Sequence, residues 1–198
     1  YLAELEYYNF NVIDRAMLKT NGKGTDFTDA SMRDYYRKIN MPKITIEYAN
    51  RLLAVRKNLL VFCALIDEAN IVAKSVPGAV VITGTTELSV RSRILNDFKS
   101  GKIKCVINVG VLTTGFDYPE LEAVLIARST MSLALYYQII GRAMRPHPNK
   151  KSGWIVDLGG NIEMFGKIET MRIEVDERGL FSIWNNGRQL TNVLLTKK

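Results

Sequence analysis

Gln138, Arg142 and Arg145 are spaced Gln-x-x-x-Arg-x-x-Arg, a pattern that a helix turns into a single surface. At about 100° per residue the three side chains fall in one sector, opposite Leu133, Tyr137, Ile140 and Met144, which cluster within roughly 60°. Such a helix presents one amide and two planar guanidiniums together, a donor-rich surface suited to an anion with several oxygens. The same pattern also describes an ordinary amphipathic helix with solvated arginines. Gly141 beside the arginines costs about 1 kcal/mol of helix propensity relative to Ala, and a close approach of backbone or ligand would account for it. A second stretch, Gly115-Phe116-Asp117, sets a carboxylate just after a glycine. Taken alone it reads equally well as a turn into a strand.

The elements that must position these residues follow from the alternation of short apolar runs with longer amphipathic stretches. Strands are predicted at 59–62, 79–82, 103–109, 123–127 and 154–158, and helices at 66–75, 88–100 and 132–144, with Gly101 ending the second helix. Nearly continuous apolar strands alternating with crossover helices predict an α/β fold: a mostly parallel sheet covered by helices on both faces. Ligands of such sheets sit at the carboxyl ends of strands, so Asp117 and Arg142 should share one edge there. Residues 1–57 read as a mainly helical connecting segment, with helices near 29–39 and 44–57 around the polar stretch 20–28. After Gly159-Gly160 the pattern changes to short β-prone pieces at 171–175 and 180–184 with turn-prone residues between them, so 161–198 reads as a small β extension beyond a 58–160 lobe.

Composition narrows the class. With 198 residues, 47% of them hydrophobic, the chain can bury a substantial core, and no unbroken apolar run approaches the roughly 20 residues that span a bilayer. It opens at Tyr1 with no leader-like segment, which reads as a soluble piece of something longer. Cys63 and Cys105 both sit in apolar runs, which argues against a disulfide framework and for a reducing cytoplasm. One histidine, His147, and no C-x-x-C pair leave too few ligands for structural zinc. The net charge of +7 fits a nucleic-acid partner as well as a solvated basic surface.

Several ordered motifs carry a resemblance to a known family. Gln138-x-x-Gly141-Arg142-x-x-Arg145 resembles motif VI of superfamily 2 helicases, Thr114-Gly115-Phe116-Asp117-Tyr118-Pro119 resembles motif V, and Leu60-Val61-Phe62-Cys63 resembles motif IV. Between them, Ile82-Thr83-Gly84, Arg91 and Phe98-Lys99-Ser100-Gly101 are similar to the glycine, arginine and F-x-x-G pattern of the second RecA-like lobe. The run from Val111 to Asp117 and the run Arg128-Ser-Thr-Met-Ser132 point to the branch containing type III restriction helicase subunits and related repair helicases. The resemblance implies the C-terminal RecA-like lobe of an ATP-dependent DNA helicase or translocase.

By the same resemblance, Arg142 and Arg145, with Gln138, reach across an interlobe cleft to the γ-phosphate of ATP, where planar guanidiniums neutralise and orient the charge of phosphoryl transfer. Asp117 would accept hydrogen bonds from the ribose, and Gly115 would keep the backbone close to the nucleotide. Thr83, Gly84, Arg91, Asn108, Thr113 and Thr114 would form the nucleic-acid surface, holding phosphates without reading bases. Val109 stands where many relatives begin motif V with threonine, and Leu88 stands where some RNA helicases carry glutamine. DNA, single-stranded or duplex, is therefore expected over RNA. The chain has no G-x-x-x-x-G-K-[ST] loop and no D-E-x-[DH] motif, so ATP and Mg²⁺ should be bound mainly by an N-terminal lobe, and this piece alone should not hydrolyse ATP. The rival is a non-catalytic α/β nucleotide-binding or scaffold module, but the spacing of Gly110 and Gly115 does not match G-x-G-x-x-G.

Overall fold

Burial on both sides of the strands organises the molecule. The computed structural model describes residues 2–111 and 117–191, together with the backbone of 195 and 196. In chain order the elements are β1 (Leu5–Asn9), α1 (Asp29–Lys38), α2 (Met41–Leu53), β2 (Leu59–Cys63), α3 (Ile66–Ser75), β3 (Ala79–Ile82), α4 (Leu88–Lys99), β4 (Cys105–Asn108), β5 (Ala123–Ala127), α5 (Leu133–Ile140), β6 (Gly153–Asp157), α6 (Asn161–Phe165), β7 (Arg172–Val175), β8 (Leu180–Asn185), β9 (Arg188–Gln189) and β10 (Leu195–Thr196). The main sheet has the order β1-β6-β5-β2-β4-β3, and every pairing in it is parallel. Every residue of β2, β4 and β5 is buried, as strands covered on two faces require.

Alternation along those strands divides the core in two. Leu59, Val61, Cys63, Ile107 and Leu125 point to the face covered by α1, α2 and α3, where Met32, Tyr36, Ala49, Leu52, Ala69 and Val72 close the layer. Leu60, Phe62, Val106, Val124 and Ile126 point to the opposite face, against Ile94 and Phe98 of α4 and Tyr136, Ile139 and Ile140 of α5. This is the RecA-like α/β arrangement expected from the sequence. A small antiparallel sheet of β10, β8 and β7, with β9 paired to β8, follows it. Asn186 and Gly187, at φ 50° and 73°, make the tight β8–β9 hairpin turn, whose left-handed backbone favours those two residue types.

Three differences from the sequence reading have physical causes. β1 is an edge strand paired with β6, and the sequence reading had no strand there. Its run Leu-Glu-Tyr-Tyr-Asn is short and charged at its second position, so nothing local distinguishes it, and its partner lies at the far end of the lobe. Helix α2 begins at Met41, earlier than residue 44, because Pro42 occupies the first turn, where a missing N–H costs nothing.

The third difference touches the candidate site. Helix α5 ends at Ile140, not near 144, so Arg142 and Arg145 lie in the turn and extended segment that follow it. Gly141, a poor helix former, caps the helix, and the chain tightens there into bonds from Arg142 N to the Ile139 carbonyl and from Ala143 N to the Ile140 carbonyl, while Pro146 keeps Arg145 out of the α region. The buried face of α5 is accordingly Tyr136, Ile139 and Ile140, while Tyr137, expected on the apolar side, is 52% exposed. The two-sided core yields a direct test. Phe62→Ala should lower stability by about 3–5 kcal/mol in urea unfolding, whereas Ile173→Ala, on exposed β7, should change it by less than about 0.5 kcal/mol. Equal effects would contradict this core.

Candidate functional site

At one end of the lobe, the chain order of β5, α5 and β6 delivers the arginines. Helix α5 starts beyond the carboxyl end of β5, where the Ser132 hydroxyl accepts from Leu135 N at 3.2 Å as its cap. It runs back against the strands, held by Tyr136, whose hydroxyl donates to the Gly166 carbonyl at 2.8 Å and whose ring stacks on Phe165. The residues after it therefore arrive at the amino-terminal ends of the strands. There the Met144 carbonyl accepts from Ala3 N, just before β1, and Gly153, the first residue of β6, lies against Ala143. The expectation of a site at the carboxyl ends is thus corrected. An antiparallel crossover helix puts its carboxyl terminus beside strand starts.

Asp117 reaches the same end by a different route. It precedes Tyr118, whose buried ring packs edge-on against Phe98 at 5.2 Å between centroids and whose hydroxyl accepts from Asn58 Nδ2 at 3.1 Å. Asn58, just before β2, also donates to the Glu120 carbonyl and accepts from Glu122 N, so one buried amide stitches the segment 118–122 to the start of the sheet. Asp117, itself exposed, forms an ion pair with Arg145. Arg142 belongs to the same cluster: burial lowers its pKa most, the neighbouring Arg145 charge lowers it further, and Asp117 opposes both. His147 Nε2 lies 3.2 Å from Glu120 Oε1 beside them. Gln138 is exposed on α5 and lines an apolar groove toward the β extension with Leu133, Tyr137, Met171, Ile173 and Ile183. Asp117, Arg142 and Arg145 therefore share one cluster, and Gln138 lines a separate groove.

At the carboxyl ends, the residues expected to meet nucleic acid divide into those that face solvent and those that shape loops. Gly84 is exposed, with open space where a Cβ would stand. Thr83 is buried, and its hydroxyl lies 2.9 Å from that of Thr85 while its amide donates to Thr86 Oγ1 at 2.9 Å. Arg91 directs one guanidinium nitrogen to the carbonyls of Thr83 and Thr86 at 3.4 and 3.1 Å, which braces the loop. Asn108 is 1% exposed and its Oδ1 accepts from Val111 N at 3.2 Å, a side-chain bond to the backbone three residues on that sets the exit from β4. Arg91 and Asn108 thus hold the backbone of loops whose open atoms lie elsewhere. Thr113, Thr114 and Gly115 lie outside the described residues.

Two polar clusters escaped the sequence reading. Asp26 accepts from Thr130 Oγ1 and Met131 N, each at 2.9 Å, and lies 3.7 Å from Arg128, which fastens the stretch 20–28 over the carboxyl end of β5. Buried Asp157 accepts from Gly159 N, Ile162 N and Asn161 Nδ2, while Asn161 Oδ1 takes Thr130 N and Arg15 Nη1. Burial raises the Asp157 pKa, and those donors oppose the rise. The run Asp-Leu-Gly-Gly-Asn immediately after an apolar strand was the available signal. Lys150 was also missed. It is buried, and its ammonium donates to the Ala143 carbonyl at 2.9 Å.

Comparison with known proteins gives a consistent picture. The family described as helicase conserved C-terminal domain matches residues 44–147. A 51.5 kDa protein of a Lactococcus phage is 28% identical over 160 residues, covering 79% of this chain and 34% of that protein. The putative ATP-dependent helicase IRC3 of Saccharomyces cerevisiae is 35% identical over 79 residues, covering 40% of this chain and 12% of its own length. The type I restriction enzyme EcoKI endonuclease subunit of Escherichia coli is 26% identical over 170 residues, covering 74% of this chain and 14% of that subunit. The chain thus spans about a third or less of these relatives. Among solved structures, the E. coli DEAD-box protein SrmB bound to regulator of ribonuclease activity A superposes with a TM-score of 0.53 at 13% identity, over 83% of this chain and 81% of that one, a likeness of fold.

The buried lysine beside the arginine turn gives the site a measurable pH signature. Burial pushes the Lys150 pKa down to about 8 from an ordinary 10.5, with Glu122 partly opposing the shift. Between those values the unfolded chain holds a proton that the folded chain has lost, so this group makes stability rise with pH from about 8 to about 10.5. Chemical denaturation across that range should show the rise as a difference between the wild type and Lys150→Met, and parallel profiles would contradict the buried ammonium.

Proposed function

Because this chain belongs to the helicase conserved C-terminal domain family, we propose that it is the second RecA-like lobe of an ATP-dependent DNA helicase or translocase, with Arg142 and Arg145 acting on the γ-phosphate. The observation that supports this reading best is the gathering of Asp117, Arg142 and Arg145 at one end of the sheet, from two segments far apart in sequence. Their ion pair is exposed on both sides, so screening by water leaves it little net strength and a triphosphate can displace it at low cost. Arg145 would then exchange a carboxylate for phosphate oxygens, which suit the same planar fork. Asp117, released, would accept from the ribose hydroxyls.

Mg²⁺ is best assigned outside this lobe. Among the described residues no group of three or more His, Cys, Asp or Glu could hold a metal ion, and the sequence contains neither phosphate loop nor acidic metal motif. We assign the metal and the β-phosphate to an N-terminal lobe. Isolated, this chain should not turn over ATP.

The nucleic-acid surface would lie at the opposite end of the sheet, on the exposed part of the loop 83–86 and the exit from β4. Strands of four or five residues separate the two ends by roughly 13–17 Å. The segment from Asn108 to Asp117 starts at the nucleic-acid end and finishes at the nucleotide end. DNA over RNA rests on the resemblance to restriction and repair helicases and on the likeness to a restriction enzyme subunit.

The test uses the protein carrying both lobes. Arg145→Ala should leave binding of an ATP analogue largely intact yet slow DNA-stimulated hydrolysis by around 10³-fold, as loss of an arginine finger does elsewhere. Arg142→Ala should act alike, and Arg→Lys should rescue incompletely, since an ammonium lacks the planar fork. Asp117→Ala should mainly weaken nucleotide binding, because a ribose hydrogen bond is present in the ground and transition states alike. Near-normal turnover in both alanine variants would return the arginines to a solvated surface. A separate expectation concerns the other end of the sheet. Affinity of the isolated lobe for DNA should be micromolar or poorer and fall steeply with salt, and tight, salt-insensitive binding in fluorescence anisotropy would contradict a phosphate-contact surface.

A further inference from the structure

The turn joining Arg142 to Arg145 belongs to neither a helix nor a strand, so no ladder of backbone hydrogen bonds fixes the direction of its carbonyls. Ala143, at its centre, has no exposed surface, and a buried carbonyl needs a donor. Lys150 Nζ supplies it at 2.9 Å. The lysine is 8% exposed, an unusual place for an ammonium, which ordinarily keeps its head in water.

Two further contacts converge on the same backbone. A Cβ at Gly153 would stand 2.5 Å from the Ala143 oxygen and 3.0 Å from the Ala143 Cβ, so β6 approaches the turn as closely as only glycine permits. The Met144 carbonyl accepts from Ala3 N at 2.8 Å. Lys150, Gly153 and Ala3 all meet the main chain between the arginines, which leaves the Arg145 guanidinium to Asp117. Lys150 is in turn carried by a short connection of its own, for its amide donates to the His147 carbonyl at 3.0 Å, and His147 faces Glu120.

We infer that Lys150 is a positioning residue for the arginine pair: by closing on the Ala143 carbonyl, its ammonium sets the separation and aim of Arg142 and Arg145. The inference rests on the nucleotide-facing role proposed for those arginines. Lys150 touches no reacting atom. It acts through the backbone, where a displacement of about 1 Å at an orienting group is enough to cost about 10²-fold in rate.

The experiment compares Lys150→Met, Lys150→Arg, Gly153→Ala and Arg145→Ala in the two-lobed enzyme proposed above, reading DNA-stimulated kcat, KM for ATP and thermal midpoint together. Lys150→Met keeps the apolar stem and removes the donor. It should lower kcat by about 10- to 100-fold with KM for ATP within about threefold of the wild type. Lys150→Arg, which retains a cationic donor, should recover most of the loss, and Gly153→Ala, which pushes the same carbonyl from β6, should reproduce the kcat defect. Wild-type kcat in Lys150→Met beside a slow Arg145→Ala would overturn the inference while sparing the arginine reading. A joint fall of kcat, nucleotide affinity and thermal midpoint, with no rescue by arginine, would also overturn it by showing a merely structural lysine. Wild-type turnover in Arg145→Ala would overturn the parent reading, and the inference with it.

Discussion

Water is excluded from both faces of β2, β4 and β5, and the rest of the molecule is arranged around that constraint. A parallel sheet buried on two sides needs crossover connections between its strands, most of them helices here, and each connection must run back along the strands to start the next one. Polar chemistry is thereby expelled from the faces to the two ends. The loops leaving β3, β4 and β5 gather at one end, and the residues entering β2, β5 and β6 gather at the other. Arg142 and Arg145 occupy the second end because α5 returns there, Asp117 joins them because the segment entering β5 is tied to Asn58 at the start of β2, and Gly84 and Thr85 occupy the first because β3 stops there.

The two ends are built differently. At the carboxyl ends, cations and amides turn inward: Arg91 braces the carbonyls of Thr83 and Thr86, Asn108 caps the exit from β4, and Asp26 fastens the segment 20–28 to residues 130 and 131. These contacts shape a backbone surface, which suits contact with phosphates of any sequence. At the amino ends the order reverses. The backbone of 143 and 144 is held by Lys150 and Ala3, and the Arg145 side chain is left in an exposed pair with Asp117.

Much of this was legible in the sequence, for identifiable reasons. β5 follows residue for residue from its apolar run, because a strand buried on both faces leaves an unbroken hydrophobic signal, while β3 follows from a short apolar run and α3 from its amphipathic pattern. The apolar period of Tyr137, Ile140 and Met144 continues past Gly141, so periodicity alone extends α5 beyond the residue that caps it. β1 carries no strong local signal, because its short run is read as a strand only once β6, far along the chain, lies beside it. The association of Asp117 with Arg145 followed from motif order, but its location at the strand starts required the path of the chain. Lys150 left no local signal at all. A lysine in Asn-Lys-Lys-Ser reads as solvated until the fold buries it against Ala143.

Whether the turn after α5 aims two guanidiniums at a triphosphate is tested most directly by a structure of the two-lobed protein with a non-hydrolysable ATP analogue. Arg142 and Arg145 nitrogens should then lie within about 3 Å of γ-phosphate oxygens, with the Arg145–Asp117 pair opened and the Ala143 carbonyl still capped by Lys150. An analogue bound with Arg145 still paired to Asp117 and both guanidiniums turned to solvent would contradict that aim.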